Sequence, residues 1–357
     1  MICGVTAGTL LLLLAGPGPV LNRTTPDPAP RDGSVALVDK PYRGPRLLVN
    51  TYADLFPQAV LAAGPKPSAP PPAEAVPVIG PPTPALRRSA VDLSTFRGLS
   101  TWVDLHDTAL RPEDQVAIAR DQGVDAVYVQ SARYSSPTDI HDYYRLAALI
   151  ESAHDAGIEV MVWYIPDFVD PARDLRRAKA AMAFLTPRGD RPDAFGLDIE
   201  ADDVADVGLR TQRLLRLSRG LRDWVGPHYP MAAIVLPPLQ LELNTRWWPG
   251  FPYAELAELY DVMIPMSYSS FRGVDPDTTY GWNLGNVERT RALAGRADLP
   301  VHLAGGIADD LPEVAAFVSA AADGAVVGGG LYDLHTRPPE AWPALEPLSR
   351  RGRPLTG

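Results

Sequence analysis

A single cysteine, Cys3, occurs among 357 residues, so no disulfide framework and no thiolate metal site can form within the chain. Basic charge is short as well. Lys and Arg total 33 against 43 Asp and Glu, a net charge of -10. No basic stripe is left over to neutralise phosphates, which excludes a nucleic-acid surface and fits a neutral or cationic partner. The six histidines, His106, His141, His154, His228, His302 and His335, form no HExxH or HxH pair, so metal-ligand spacing is lacking. Neither a GxGxxG after the first strand nor a P-loop is present, which removes support for a nucleotide fold. Long hydrophobic runs are missing too. The apolar run at Leu10 to Leu14 is too short to span a bilayer, which takes about 20 residues.

Proline is plentiful and unevenly placed. Sixteen of the 38 prolines fall between Pro19 and Pro84, including Pro70-Pro71-Pro72. Proline fixes φ and lacks a donor, so this stretch favours extended conformations. Residues 1–20, with their short apolar core, read as an export signal or membrane anchor. No Lys or Arg precedes that core and no clean A-x-A follows it. Residues 21–92 read as a proline-rich linker, with one short docking helix expected within Leu47 to Ala63. The expectation is a secreted or cell-surface protein.

From Phe96 onward a strand-then-helix unit repeats about eight times. Strands are expected at Gly98–Asp104, Val124–Gln130, Ile158–Tyr164, Ala194–Glu200, Met231–Leu236, Asp261–Met266, Val301–Gly305 and Gly324–Gly328. Helices are expected near Pro112–Gln122, Asp139–Ala156, Pro171–Leu185, Val204–Trp224, Asn286–Ala297 and Leu311–Ala322, with short ones near Glu255 and over Pro339–Leu348. Short, continuously apolar strands alternating with helices imply a parallel sheet covered by helices. Eight units over residues 93–357 fit an α/β fold of the closed (β/α)8, or TIM, barrel type, preceded by the proline-rich extension.

The active site of such a barrel lies at the carboxyl ends of its strands. Strand four, Phe195-Gly196-Leu197-Asp198-Ile199-Glu200, ends on two carboxylates two residues apart, which alternation turns to one side. Like charges held that close raise at least one pKa, as a general acid requires. Around them, other strand ends offer Trp102, Asp104, His106, Gln130, Tyr134, Trp163, Tyr164, Met266, Tyr268, Tyr332 and Asp333. Carboxylates and aromatics together suit a carbohydrate. His302 sits in mid-strand and reads as a satisfied core residue. His106 and His335, with Asp107 and Asp333, lie on strands that become neighbours on closure and define an alternative metal-dependent hydrolase.

Strand seven ends Ala304-Gly305-Gly306, with no carboxylate until Asp309. Both acids therefore share strand four, which suits a mechanism in which the substrate's own acetamido group attacks the anomeric carbon.

The strand-four run ending Asp198-Ile199-Glu200 resembles the motif of chitinase-like family 18 glycoside hydrolases. Met266-Ser267-Tyr268 resembles their strand-six Met-x-Tyr. The resemblance implies a retaining glycosidase with Glu200 as proton donor, Asp198 orienting the acetamide and Tyr268 contacting it. The chain departs from that family at three places. Gly196 stands where a further aspartate is usual, Ser269 where an aspartate is common, and Leu331-Tyr332 where a tryptophan is usual. The Asp-x-Glu is also similar to the strand motif of family 25 lysozyme-like barrels. A monomer with a carbohydrate substrate and no cofactor is expected. A non-catalytic glycan-binding barrel is the second alternative.

Overall fold

A computed structural model describes residues 91–271, 275–306, 311–336 and 339–350. The expected export segment, most of the proline-rich stretch and the Leu47–Ala63 helix lie outside the described residues. Eight parallel strands close in sequence order into one barrel. They are β1 Gly98–Val103, β2 Ala126–Arg133, β3 Glu159–Ile165, β4 Ala194–Ile199, β5 Met231–Val235, β6 Val262–Ser267, β7 His302–Gly305 and β8 Gly328–Leu331. Between them run α1 Pro112–Asp121, α2 Tyr143–Asp155, α3 Pro171–Met182, α4 Val207–Val225, α5 Pro238–Leu243, α6 Tyr253–Leu259, α7 Pro276–Ala294 and α8 Leu311–Asp323, with α9 Trp342–Leu345 after β8. Among the described residues no helix is long and apolar enough to cross a membrane.

Local chemistry explains the helix starts. Asp142, Asp170, Asp206 and Asp275 each accept backbone N–H bonds at the start of α2, α3, α4 and α7, as N-caps do. Pro112, Pro171 and Pro276 sit in first turns, where their missing donors cost nothing. The Asp275–Pro276 start places α7 about ten residues earlier than apolar periodicity alone suggests, and Asp206 moves the start of α4 to Val207.

The last strand also differs from expectation. β8 is Gly328–Leu331, not Gly324–Gly328, because α8 runs to Asp323 and a turn follows with Ala325 at φ 44. β8 is built of glycine because β1 lies against it. A Cβ on Gly330 would stand 2.1 Å from the Ser100 carbonyl oxygen.

Register sorts the inward side chains into layers contributed by alternate strands. Met161 and Ile234 lie beside Gly196, and Trp163 pairs with Gly196 while Asp198 pairs with Ile234. One layer therefore holds Trp102, Trp163, Ile234 and Ala304. The layer above it holds Gln130, Asp198, Met266 and Tyr332.

At the opposite end of the barrel His302 is fully buried and satisfied. Its Nδ1 lies 2.8 Å from the Phe96 carbonyl and its Nε2 2.8 Å from Ser100 Oγ. Burial pushes the imidazole down to about 4, so it is a neutral core residue, as its mid-strand position indicates.

Gly330→Ala is expected to destabilise the protein by about 3 kcal/mol or more, since the clash is with backbone. Gly157→Ala, at φ 69 with nothing within 4 Å of its added Cβ, is expected to cost only about 1 kcal/mol. Urea unfolding of both variants checks the order; equal losses would refute the close approach of β1 and β8.

Candidate active site

Asp198 and Glu200 come from the inner side of β4 and its end, and both are more than nine-tenths buried, at 6% and 5% exposure. Alternation turns both side chains to one side of β4. Asp198 stands directly above the layer containing the Trp102 and Trp163 rings. Burial, and after it the charge of Glu200, push the Asp198 carboxyl well above the usual carboxylate range. Its Oδ1 has no hydrogen-bond partner. A buried polar atom left alone costs roughly 1–3 kcal/mol, and active sites are where such costs persist. The indole N–H groups of Trp102 and Trp163 are likewise buried and unpartnered.

Gly196 has a neighbourhood that explains its size. A Cβ there would lie 3.0 Å from Ile234 Cδ1 and 3.1 Å from Met161 Sδ. The space that a third carboxyl would occupy beneath Asp198 is filled with hydrocarbon and sulfur.

Rings link the two sides of the mouth. Trp102 meets Trp163 edge-on at 5.8 Å and Tyr332 at 6.2 Å, and Tyr332 meets Tyr268 at 6.2 Å. Tyr268 follows β6 as Glu200 follows β4, each two residues beyond its strand's member of the Asp198 layer. The Tyr332 hydroxyl donates to Asp104 Oδ2 at 2.6 Å, which fixes the ring against β1. Burial, then the charges of Asp104 and Asp333, hold that phenol well above its usual range. The small cavity beside this wall, about 40 Å³, is lined by Asp104, Gln130, His141 and Arg145 among others, and is sized for water rather than for a sugar.

Asp104, Asp107 and Asp333 bring carboxylate oxygens within 4.8 Å of one another. Burial, then the charges of Asp104 and Asp333, push Asp107 up to about 8. Asp333 is raised as well, chiefly by burial. Among the described residues, these three aspartates form the group able to hold a cation. The histidine pair is not assembled for that purpose. The His106 side chain is exposed, and it is its backbone N–H that donates to Asp104. His335 Nε2 lies 2.7 Å from Gln115 Nε2, and burial lowers its pKa, so it serves as a neutral acceptor.

Not every residue expected at the site is there. Tyr164 faces the helix layer and donates to Asp174 Oδ1 of α3 at 2.7 Å. Its neighbour Trp163 takes the inner side, and alternation forbids both from facing in. Gln130, Met266, Tyr268, Tyr332, Asp104 and Asp333 all belong to the mouth or its top layer. Tyr134 is half-buried beneath the Arg133 guanidinium, 5.8 Å from its ring centre. Burial and the charges of Asp203, Asp167 and Glu200 raise its pKa. Asp203 is thereby a member of the mouth that the sequence reading passed over. Its position three residues after Glu200, at a strand's carboxyl end, was the available signal.

No protein-family model matches the chain, and no curated protein matches it. Solved structures do resemble it. A family GH18 chitinase from Cycas revoluta, in complex with allosamidin, superposes with a TM-score of 0.54 at 11% identity, covering 70% of this chain and 98% of its own. The C-terminal domain of a putative chitinase from Desulfitobacterium hafniense gives 0.55 at 14% identity, covering 71% and 99%. The spore cortex-lytic enzyme SleL of Bacillus cereus gives 0.51 at 7% identity, covering 70% and 74%. At these identities the likeness is one of fold.

Protonation of the aspartate cluster has a measurable sign. Asp107 is raised in the folded state, so its contribution to stability is fully present below its unfolded pKa of about 4 and is lost as pH rises towards 8. Asp107→Asn is therefore expected to flatten the decline in unfolding free energy between pH 5 and pH 8. Urea titrations at both pH values measure it; an unchanged slope would mean that the cluster carries no extra proton.

Proposed function

We propose that the protein is a retaining glycoside hydrolase acting on a glycan that contains N-acylated hexosamine. The observation that carries the reading is the buried Asp198–Glu200 pair on the inner side of β4, with one Asp198 oxygen unpartnered. The structural likeness to chitinases and to a cortex-lytic enzyme supports the same class.

In this reading Glu200 gives its proton to the glycosidic oxygen as the C1–O bond breaks. The carbonyl oxygen of the neighbouring N-acyl group bonds to C1 and takes up the developing positive charge. Asp198 holds the acyl N–H and stabilises that charge, and the Tyr268 hydroxyl contacts the acyl group. Water then attacks C1, its proton passes to Glu200, and the C1–O bond to the acyl group reopens with the original configuration. The unpartnered indole N–H groups of Trp102 and Trp163 supply donors beneath the ring that reacts. The apolar run at Leu10 to Leu14 and the prolines after it support an exported enzyme that meets polymer outside the cell.

Glu200→Gln is expected to lower the hydrolysis of chito-oligosaccharides or wall glycan about 10³-fold, Asp198→Asn about 10²-fold and Tyr268→Phe about tenfold. Equal turnover by wild type and Glu200→Gln would remove Glu200 as the acid. Binding without cleavage of any glycan by the wild type would instead favour the non-catalytic barrel, to which the apolar filling around Gly196 lends weight.

A further inference from the structure

We infer that Asn286, a buried asparagine of α7, is a positioning residue for Tyr268: it fixes the end of β6 and thereby the place of the Tyr268 side chain at the mouth. The use made of Tyr268 rests on the glycosidase reading above; the inference adds the group that holds it.

The buried face of α7 carries Thr279, Asn283, Asn286 and Thr290. A buried polar side chain either bonds within its own helix or ties that helix to another element. Asn283 Nδ2 donates to the Thr279 carbonyl at 2.8 Å, and Thr290 Oγ1 donates to the Asn286 carbonyl at 2.7 Å, so both bond within α7. Asn286 directs both ends of its amide outward. Its Nδ2 donates to Ser267 Oγ at 2.9 Å, and its Oδ1 accepts the Leu239 N–H at 3.0 Å. Asn286 and Ser267 are fully buried.

Both partners bear on the mouth. Ser267 is the last residue of β6, and Met266 before it belongs to the inward layer of Asp198. Alternation therefore turns Ser267 out towards α7 and Tyr268 back towards the mouth. The Tyr268 N–H donates to the Met266 carbonyl at 2.9 Å, a tight turn that makes the direction of the ring depend on where Ser267 is held. Leu239 is the second residue of α5, where an N–H lacks an intrahelical acceptor, and α5 has no side-chain cap of its own. A backbone N–H only donates, so Leu239 takes the amide oxygen and turns the NH2 group to Ser267.

Two glycines show how close the fit is. A Cβ on Gly285, beside Asn286, would lie 2.9 Å from Leu239 Cδ1. One on Gly306, just past β7, would lie 3.0 Å from Tyr268 Cβ and 3.2 Å from its Cα. Tyr268 is thus fixed at its backbone from α7 through Ser267 and from β7 by Gly306. Its hydroxyl lies at the far end of the side chain, where a small rotation at the end of β6 has the largest effect. Misplacing a reacting or binding group by about 1 Å costs about 10²-fold in rate.

The test starts without ligand. Fluorine NMR is recorded on the full chain with 3-fluorotyrosine in place of Tyr268 alone. One narrow signal is expected, and Asn286→Ala, or the smaller change Ser267→Ala, is expected to shift or broaden it. Asn283→Ala removes the same amide one turn earlier on α7; it is expected to lower stability and leave the signal where it was. Turnover of N-acetylated chito-oligosaccharides is the second readout. Asn286→Ala is expected to lower kcat/KM about tenfold in the otherwise unchanged chain, and by less than about twofold once Tyr268→Phe is present. Where Asn286→Ala does not fold, Ser267→Ala carries both readouts. An unmoved fluorine signal, a signal that Asn283→Ala moves equally, or losses from Asn286→Ala and Tyr268→Phe that multiply would each overturn the inference. Absence of cleavage by the wild type defeats the glycosidase reading instead, and the fluorine signal then decides the placement of Tyr268 by itself.

Discussion

Two carboxylates placed two residues apart on one strand of a closed parallel barrel cannot turn away from each other. Alternation aims both into the interior, and closure removes the solvent that would screen them. Beneath Asp198 lies a layer of two indoles, Ile234 and Ala304, which offers it no charge and no hydrogen bond. Among the described residues nothing basic reaches this aspartate. Its carboxyl therefore keeps a proton far above the range in which a surface aspartate would lose it. The chemistry available at the mouth, protonation and support of a nearby positive charge, follows from that one enforced proximity.

The remainder of the mouth is arranged so that this proximity can last. Arg145, Arg173 and Arg177 reach from α2 and α3 to carbonyls and carboxylates of the loops after β1, β2 and β3. Each ties a loop to the helix layer. On the far wall the Asp104 carboxylate takes the Tyr332 hydroxyl, so a β1 side chain sets the attitude of a β8 ring. Rigid walls matter because a site of this kind acts through placed dipoles and charges rather than through moving parts.

Gly196 and the glycines of β8 make the same point by absence. At Gly196 the missing side chain is replaced by Met161 and Ile234, so the carboxylates at the mouth rest on an apolar floor. In β8, Gly330 lets two strands approach where any Cβ would strike the Ser100 carbonyl. The first sets the electrostatics of the acids; the second lets the cylinder close at all.

Much of this was legible in the residues alone. Eight apolar segments, each followed by a helical pattern, dictate a covered parallel sheet, and the position of Asp198 and Glu200 at the end of the fourth dictates that they share a side. His302 could be read as core for the same reason. What the linear order could not decide was facing and company. Trp163 and Tyr164 are adjacent and chemically similar, yet one lines the barrel and the other meets Asp174, because inward phase is set by register with β2 and β4. The run after α8 is apolar and glycine-rich throughout, so only pairing with β1 and β7 locates β8 at Gly328–Leu331. The meeting of Asp104 and Asp107 with Asp333 across more than 200 residues belongs to closure, and that of Asp203 with Asp167 to the pairing of β3 with β4. Local periodicity determines what kind of element a segment forms; the stagger of eight strands around one axis determines which side chains end up within reach of one another.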